Sequence, residues 1–540
     1  MNNIFKKNSK EITLFFLFTI FILILYIPFV LNGGFYIFDW LLAKTKFDYN
    51  DFGKILFSWF PFQTIRPFSA LLYTIPAYFF GNNPTFYIIV NILFLELSLI
   101  IISLLLKKYV SFKNVMIFMI LGSVPFISSS NVFMAATMLC TTFTFFLWAL
   151  SLFFVNLYVT NKKVIYIILS VSLIFIALLI YEIITPLLIF NILYPILYYK
   201  NNRELKFKDI VLKILFYFII IFSTVLIVAI YQKFIVPMIG GVTSSRISLG
   251  FSLMPILIKI SDWFYIITVK MFALGIKSFY FFSTKNIIEF AIILFLMICF
   301  FITYIRYKKQ QKDKKNILYL IVISSIALIL NLFIFILSSY KPDITGYNNR
   351  TLFITWISIV FLMILLLELT ESKILTSIFL LFAVLASSSM IISRDKYIES
   401  NKLQKVIITD CLTKINNLTN ESNITVLGNV PKYLYKNYND ESVFSVFWDF
   451  GSALKIKSKG KIIDGNTVTI SKKIYKTDLF LTVDEYWRYD IQWGRLCYYE
   501  YNNNDGSSYI KIVNNKEDLS DVILRVKSIN LSNDNNVIQK

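Results

Sequence analysis

The segment between Phe38 and Asn91 carries the side chains best suited to chemistry. Asp39 follows the first long apolar run, and an Arg66-Pro67 pair precedes the next one. A carboxylate at a membrane–water boundary can take a proton from a hydroxyl group. An arginine there can bind phosphate, because its planar guanidinium matches phosphate geometry. The residue types and their spacing therefore predict acid–base and phosphate-binding chemistry at one face of a membrane.

The elements that must position these side chains are membrane helices. The chain has 540 residues, of which 57% are hydrophobic and 18% aromatic. Apolar runs of about 20 residues, enough to cross about 30 Å of hydrocarbon, recur along the first three quarters. We predict an all-α polytopic membrane protein with about 11 transmembrane helices, at about 12–32, 85–106, 115–129, 134–158, 164–183, 184–199, 209–236, 287–306, 316–338, 351–369 and 373–393.

The net charge of +21 lies mostly in short basic loops between these runs. With the N-terminus in the cytoplasm, every strongly basic short loop falls on the cytoplasmic side, as the positive-inside rule requires. Nucleic acid is therefore not needed to explain the charge. The chain contains no histidine, which excludes histidine-based catalysis and histidine metal ligands.

The C-terminal tail has a different composition from the rest of the chain. We predict a membrane domain over 1–393, with an outer loop at 33–84, and a small extracytoplasmic domain over 394–540. Strand-like runs such as Ile424 to Leu427 indicate an α/β or α+β fold. Cys411 and Cys497 both lie in this tail, and the sequence leaves open whether they pair.

A set of short motifs connects the outer loop with a known family. They are Asp39; Arg66-Pro67-Phe68-x-x-Leu71; Phe80-Gly81-Asn82-Asn83-Pro84-x-x-Tyr87; Val90-Asn91; Tyr181-Glu182 with Pro186; and Arg350 in a late outer loop. The pattern resembles the polytopic GT-C glycosyltransferases, most closely the protein O-mannosyltransferases and their bacterial relatives. The match covers about 60 residues and leaves out the 394–540 tail.

The resemblance implies an enzyme that transfers a sugar from a polyprenyl-phosphate-linked donor to a cell-surface glycan or protein, with inversion. It implies Asp39 as the catalytic base. No cofactor is expected, and the need for a divalent metal stays open. Many members have a second acidic residue after the first and histidines in the second span, whereas this chain has Trp40, Ile88 and Leu95.

Three arginines are candidates for binding the donor phosphate: Arg66, Arg246 and Arg350. Arg66 has the alternative role of holding the loop. Arg246 has the alternative of reaching toward anionic lipid headgroups from the membrane interface, which we favour for that residue.

Two acidic candidates, Glu96 and Glu182, are expected within membrane spans. An ionisable group there usually faces a partner or a cavity, so structural pairing is the alternative to catalysis. Asp39 has its own alternative, a helix-end aspartate without chemistry, and Asp48 and Asp51 are substitutes as the base.

Two other functions compete with sugar transfer. A transporter or flippase of lipid-linked glycans would share the span count and the acidic residues within spans, although the sequence shows no internal repeat of the kind such proteins carry. A scaffold whose tail binds a partner is the third possibility. Abundant Ile, Lys, Asn and Phe suggest a bacterial inner or plasma membrane as the location.

Overall fold

A computed structural model describes residues 2–201, 207–239, 253–306, 312–337, 342–370, 372–434, 442–467, 474–476, 480–483, 487–490 and 493–525. The chain forms two compact units. The first contains Met1–Gly33, Leu56–Ile75 and Thr85–Asp395, and the second contains Gly34–Ile55, Pro76–Pro84 and Lys396–Lys540. The predicted boundary at 393/394 lies near one of these limits. Residues 34–55 and 76–84, which lie within the predicted outer loop 33–84, belong to the same unit as residues 396–540.

Helices dominate the described part of the chain. In chain order they are α1 (Asn2–Asn32), α2 (Asp39–Asp48), α3 (Phe52–Trp59), α4 (Pro67–Phe80), α5 (Pro84–Leu106), α6 (Phe112–Gly122), α7 (Ser130–Phe133), α8 (Ala135–Asn161), α9 (Val164–Ile180), α10 (Leu188–Asn201), α11 (Phe207–Ile230), α12 (Val236–Met238), α13 (Leu253–Tyr265), α14 (Met271–Lys285), α15 (Ile287–Arg306), α16 (Lys314–Leu337), α17 (Phe353–Thr370), α18 (Lys373–Leu418) and α19 (Phe447–Lys457).

Nine helical segments within the described residues are long and apolar enough to cross a membrane. They are Glu11–Asn32, Pro84–Leu106, Ala135–Asn161, Glu182–Tyr199, Lys208–Met238, Ile287–Arg306, Lys314–Ile336, Asn349–Thr370 and Lys373–Leu418. This is consistent with a membrane protein. The predicted spans at 115–129 and 164–183 correspond to shorter apolar helices, Phe112–Ser128 and Val164–Ile180, so the predicted count of eleven is not confirmed.

Polar side chains join the helices inside the first unit. The Trp148 indole N–H donates to Asn191 Oδ1 at 2.9 Å, and Asn191 Nδ2 donates to Ser151 Oγ at 2.8 Å. The Ser151 and Ser170 hydroxyls are also 2.8 Å apart, which connects α8, α9 and α10. In a nonpolar surrounding such bonds supply the specificity that apolar packing alone does not give.

Glu368, near the end of α17, is buried and hydrogen-bonded. One of its oxygens accepts bonds from the Ser111 N–H (2.9 Å), the Ser111 hydroxyl (2.6 Å) and Asn114 Nδ2 (2.7 Å). Tyr304 donates to Asn114 Oδ1 at 2.6 Å. The carboxylate therefore fixes the start of α6, which accounts for its place inside the protein.

Arg394 is buried, with 2% of its surface exposed. Among the described residues of the first unit, it is the least exposed cation that forms an ion pair. Its guanidinium donates to both Glu289 oxygens, at 2.7 and 3.0 Å, and to Asp395 Oδ1 at 2.7 Å. It also donates to the Ile24 and Leu25 carbonyls of α1. Such dense pairing is what a buried guanidinium requires.

The second unit contains a small mixed sheet, as predicted. Its strand order is β2-β1-β6-β7, in which β1 (Ile424–Asn429) is parallel to β2 (Ile462–Thr467) and β6 (Leu496–Tyr501), and β7 (Ser508–Val513) is antiparallel to β6. A separate antiparallel sheet consists of β3 (Ile474–Lys476), β4 (Phe480–Val483) and β5 (Trp487–Asp490).

A close backbone contact sets α19 against β2. A Cβ atom on Gly451 would lie 2.2 Å from the carbonyl oxygen of Gly465, so only glycine fits at that point of the helix. The contact places the first turn of α19, which carries Asp449, at a fixed position in this unit.

Cys411 and Cys497 are both buried in the second unit, and both are free thiols. Burial raises the pKa of Cys497 to about 12. A thiol in that environment stays protonated and is a poor nucleophile at neutral pH.

Candidate functional site

Arg66 and Glu182 form a two-pronged ion pair in the first unit. Arg66 Nε lies 2.8 Å from Glu182 Oε2, and its Nη2 lies 2.5 Å from Oε1. Arg66 stands in the short turn between the 3-10 helix Phe60–Gln63 and α4, and Glu182 opens a 3-10 turn after α9. The Tyr181 ring lies 4.6 Å from the guanidinium carbon and adds a cation–π contact.

The charge of Arg66 is permanent. Burial alone would lower the pKa of this arginine, but the Glu182 carboxylate and its hydrogen bonds raise it above its ordinary value. Glu182 accepts from two of the five N–H donors of a guanidinium. The other three donate no hydrogen bond to the described residues, so Arg66 has capacity for a second anionic acceptor.

The loop that carries Arg66 is held by π-helical residues Tyr231–Ile235, which follow α11. The Tyr231 hydroxyl donates to the Thr64 carbonyl at 2.8 Å, and Gln232 Nε2 donates to the Ile65 carbonyl at 3.3 Å. These contacts restrict the backbone next to the arginine. The backbone before Arg66 is therefore held by side chains other than that of the arginine.

Arg350 lies in a 3-10 turn, Tyr347–Leu352, that leads into α17. Its backbone carbonyl accepts a bond from Asn131 Nδ2 at 2.8 Å, and its side chain is buried. The neighbouring Asn349 bonds Ser129 and Ser130 through its side-chain amide. The turn at 128–131 is thus a buried polar connection to the Arg350 segment.

Asn91, the last residue of the motif in the second predicted span, supports the same turn. Its Nδ2 donates to the carbonyls of Asn131 (2.8 Å) and Val132 (3.0 Å), and its Oδ1 accepts from the Thr142 hydroxyl. All of these groups are buried. In this structure Asn91 is a structural residue that holds the 128–132 turn.

Arg66 and Arg350 are the two candidate arginines within the described residues, and both lie near one side chain of α8. The charges of Arg66 and Arg350 both act on the Cys140 thiol in α8, and the Tyr73 hydroxyl lies 4.0 Å from the same sulfur. A phosphate is the kind of anion that each of these guanidinium groups can bind.

Asp39 belongs to the second unit, where it is the first residue of α2 and is 1% exposed. Its Oδ2 accepts a bond from the Tyr36 N–H at 3.2 Å. The preceding turn contains Ile37 with φ of 51°, a left-handed conformation that β-branched residues rarely adopt. Such strain costs roughly 1–3 kcal/mol and is typical of functional sites.

Aromatic and amide contacts enclose the Asp39 turn. The Trp40 indole donates to Gln404 Oε1 at 3.2 Å, and Gln404 Nε2 donates to the Val443 carbonyl at 2.7 Å. The Phe38 ring centroid lies 5.2 Å from that of Trp448. The C-terminal tail therefore forms the surroundings of the predicted base.

Asp449 is the neighbour that sequence reasoning missed. It lies in the first turn of α19, is fully buried, and accepts the Val446 N–H on Oδ2 at 3.3 Å. Its Oδ1 has no hydrogen-bond partner within the described residues. Burial raises the pKa of Asp449 well above its ordinary value, the Val446 bond opposes this, and the Asp39 charge raises it further.

The remaining acidic and basic candidates stand apart from these groups. Glu96 accepts a bond from the Ser123 hydroxyl at 2.9 Å on one oxygen, and its other oxygen has no partner within the described residues. Asp48 pairs with Lys455 at 2.8 Å, and Asp51 caps the start of α3 by accepting the Lys54 N–H at 3.0 Å. Arg246 lies outside the described residues.

The described residues hold no group of three or more cysteine, aspartate or glutamate side chains placed to bind a metal ion. The Asp39 and Asp449 carboxylates are a group of two. Both are buried residues of the second unit.

No protein-family model matches this chain, and a search of curated proteins finds no similar sequence.

Proposed function

We propose that this protein is an integral membrane glycosyltransferase. It transfers a sugar from a polyprenyl-phosphate-linked donor to a cell-surface glycan or protein acceptor, by a single displacement with inversion. The acceptor hydroxyl gives its proton to Asp39 as its oxygen bonds to the anomeric carbon. The bond from that carbon to the phosphate oxygen breaks, and the polyprenyl phosphate leaves with the electron pair.

The observation that carries the proposal is the environment of Asp39. The residue of the resembling motif expected to act as base is buried, stands at a helix N-terminus and follows a strained Ile37. A helix N-terminus favours the ionised form of a carboxylate, and an ionised carboxylate is the form a base needs.

Arg66 and Arg350 supply the proposed phosphate contacts in the first unit. Beside its Glu182 pair, Arg66 has three N–H groups that donate to no acceptor within the described part of the chain. The leaving phosphate becomes more negative in the transition state. Positive charge that is already in place there is a large source of rate enhancement.

The proposal includes an orientation. Eleven spans, counting the two shorter apolar helices, would place the basic N-terminus in the cytoplasm and the C-terminal domain outside. Support comes from the distribution of lysine and arginine in the short loops. The abundance of Ile, Lys, Asn and Phe supports a bacterial inner or plasma membrane.

The test uses membranes that contain the wild-type chain, Asp39→Asn or Asp51→Asn. The acceptor readout is mass analysis of cell-surface glycans from cells with the gene, without it, or with each variant. We expect the glycan change to require the gene, to be lost in Asp39→Asn and to persist in Asp51→Asn, since asparagine also caps α3. Loss of a general base lowers the rate roughly 10²–10⁴-fold. Full activity of Asp39→Asn would remove the assigned base.

The surroundings of Glu96 favour a transporter as the alternative to a glycosyltransferase. A carboxyl group in a membrane span, with one oxygen unpartnered among the described residues, is common on ion and substrate paths. Movement of a labelled lipid-linked glycan across liposomes that contain the purified protein, without a covalent product, would support transport. Loss of that movement in Glu96→Gln would assign it to this residue.

A further inference from the structure

We infer that Glu96 is a proton-binding site in the middle of a membrane-spanning helix. A bound proton neutralises its carboxyl group beside the C-terminal end of α6. The inference concerns the first unit alone. It goes beyond the proposed function, because it does not depend on sugar transfer and its tests need neither a sugar donor nor an acceptor.

The position of Glu96 along α5 is far from both ends of a candidate span. The residue lies 12 positions after Pro84 and 10 positions before Leu106, where that span begins and ends. At 1.5 Å per residue these separations are about 18 and 15 Å. The hydrocarbon layer of a bilayer is about 30 Å thick, which places Glu96 close to its centre. An ionised side chain at that depth is costly.

The C-terminal end of α6 lies beside Glu96. Ser123 is the C-cap residue of this 11-residue helix, and its hydroxyl donates to Glu96 Oε2 at 2.9 Å. Gly122 packs closely on α5, since a Cβ atom there would lie 2.6 Å from Leu99 Cδ2. The C-terminal end of a helix carries partial negative charge and opposes a second negative charge next to it. The position therefore favours a neutral carboxyl group at Glu96.

No basic side chain compensates a charge on Glu96 within the described residues. Burial and the Ser123 hydrogen bond influence its carboxyl group there, and no charged side chain does so. The second carboxyl oxygen, Oε1, is buried and has no hydrogen-bond partner among the same residues. A buried carboxylate without a cation is costly, and a proton on Oε1 removes that cost.

The charged residues of the helices around Glu96 lie away from it along the chain. Tyr26 of α1 is the titratable group that faces the same helix end, because its hydroxyl donates to the Ser123 carbonyl. Lys113 precedes Ser123 by ten residues, about 15 Å along α6. The other charged or titratable residues of α1, α5, α6, α8 and α17 are Lys6, Lys7, Lys10, Glu11, Tyr87, Cys140, Tyr158 and Glu368.

A proton fits this site better than a metal ion. The carbonyl oxygens at the end of α6 already accept hydrogen bonds. Leu121 accepts from the Trp356 indole at 2.9 Å, and Met119 accepts from the Ser123 N–H at 2.9 Å. A Ca²⁺ ion takes about 6–8 oxygen ligands in proteins. A proton needs a single carboxyl oxygen, and Oε1 supplies it.

The first experiment is infrared spectroscopy of the full-length protein in lipid vesicles, with the glutamate side-chain carboxyl carbons labelled with ¹³C. The label separates glutamate bands from those of aspartates such as Asp449. We expect the carbonyl band of a protonated glutamate at neutral pH in the wild type and in Glu368→Gln, and its loss in Glu96→Gln. Glu368 is the matched control, because it is also a buried acid within a candidate span. A band that is absent from the wild type, or that remains in Glu96→Gln, would overturn the inference.

A second pair of variants keeps the inference testable if Glu96→Gln does not fold. Ser123→Ala removes the hydroxyl that donates to Glu96 Oε2, so the protonated-glutamate band should move to higher frequency. Ser103→Ala, a change in the same helix α5, should leave the band in place. An unchanged band in Ser123→Ala, or an equal shift in both variants, would mean that the band does not belong to Glu96.

The third experiment measures denaturant midpoints of the wild type and Glu96→Gln from neutral to alkaline pH. Glutamine resembles the neutral acid, so the two midpoints should agree at neutral pH. Ionisation at alkaline pH leaves an uncompensated charge in the folded wild type, whose midpoint should then fall below that of Glu96→Gln. A neutral-pH midpoint of Glu96→Gln well below the wild-type value would contradict the proton site. Equal midpoints at a pH where the protonated band has disappeared would contradict it as well.

Discussion

Two ion pairs of the first unit and one buried aspartate of the second unit hold their charges in different surroundings. In the first, Arg66 faces Glu182 and Arg394 faces Glu289, so that each charge meets one of the other sign. In the second, Asp39 and Asp449 are both acidic, and no cation acts on Asp449 within the described residues. An opposite charge stabilises a buried ion, whereas burial without one favours the neutral form of a carboxyl group. The ion pairs of the first unit therefore keep their charges, and the raised pKa of Asp449 favours its protonated form.

The largest effect should come from breaking the most enclosed ion pair. Arg394→Leu leaves Glu289 and Asp395 without their cation, and we expect the free energy of unfolding to fall by about 3–5 kcal/mol. Denaturant unfolding of the detergent-solubilised protein measures it. A loss below 1 kcal/mol would mean that water or another cation already compensates these carboxylates.

The next effect tests whether Arg66 and Glu182 act as a pair. A double-mutant cycle with Arg66→Gln and Glu182→Gln should give a coupling energy of about 0.5–3 kcal/mol, because the two-pronged contact is lost in either single variant. The unfolding free energies of the four proteins supply the value. A coupling of zero would show that Arg66 is held by its loop alone.

The free energy of unfolding should depend on pH because of Asp449 in the second unit. The pKa of Asp449 is raised in the folded protein, so its proton contributes stability that is complete below the unfolded pKa of about 3.9 and is lost as pH rises toward the folded pKa. The loss is at most about 1.4 kcal/mol per pH unit for one group. Asp449→Asn should remove this slope, measured as the difference between the two unfolding curves from acid to alkaline pH. Parallel pH dependences would contradict the raised pKa.

The smallest change in unfolding free energy should come from an exposed ion pair, which serves as the reference for the other predictions. Arg495 and Glu421 lie 3.3 Å apart, with 40% and 56% of their side chains exposed. Because water screens such charges, Arg495→Gln should change the unfolding free energy by less than about 1 kcal/mol. A larger change would mean that losing an ion pair lowers the unfolding free energy even at an exposed position. Burial would then not explain the effect of Arg394→Leu.

Local patterns predicted much of the helical structure. The apolar run predicted at 287–306 coincides with α15, and the run at 316–338 lies within two residues of α16. Ile424 to Leu427 falls within β1. These elements depend on hydrophobic runs and strand propensities a few residues long, which are visible in the sequence itself.

Pairings between distant residues were not predictable in the same way. The partners of Arg394 and Arg66 lie 105 and 116 positions away. Asp39 stood out because it follows a full span, but Asp449 in Phe447-Trp448-Asp449-Phe450 has the sequence appearance of an ordinary helix-start aspartate. Only the packing of α19 on α2 makes it a neighbour of Asp39.

The second unit combines segments that lie far apart in the sequence, which has a consequence during synthesis on the ribosome. Asp449 is synthesised 449 − 39 = 410 residues after Asp39. At a synthesis rate of about 5–20 residues per second, Asp449 is added to the chain about 20–80 seconds after Asp39. Until α19 is synthesised, the Asp39 turn lacks the helix that packs on α2 in the finished unit. A chain that stops before α19 therefore never completes the surroundings of Asp39.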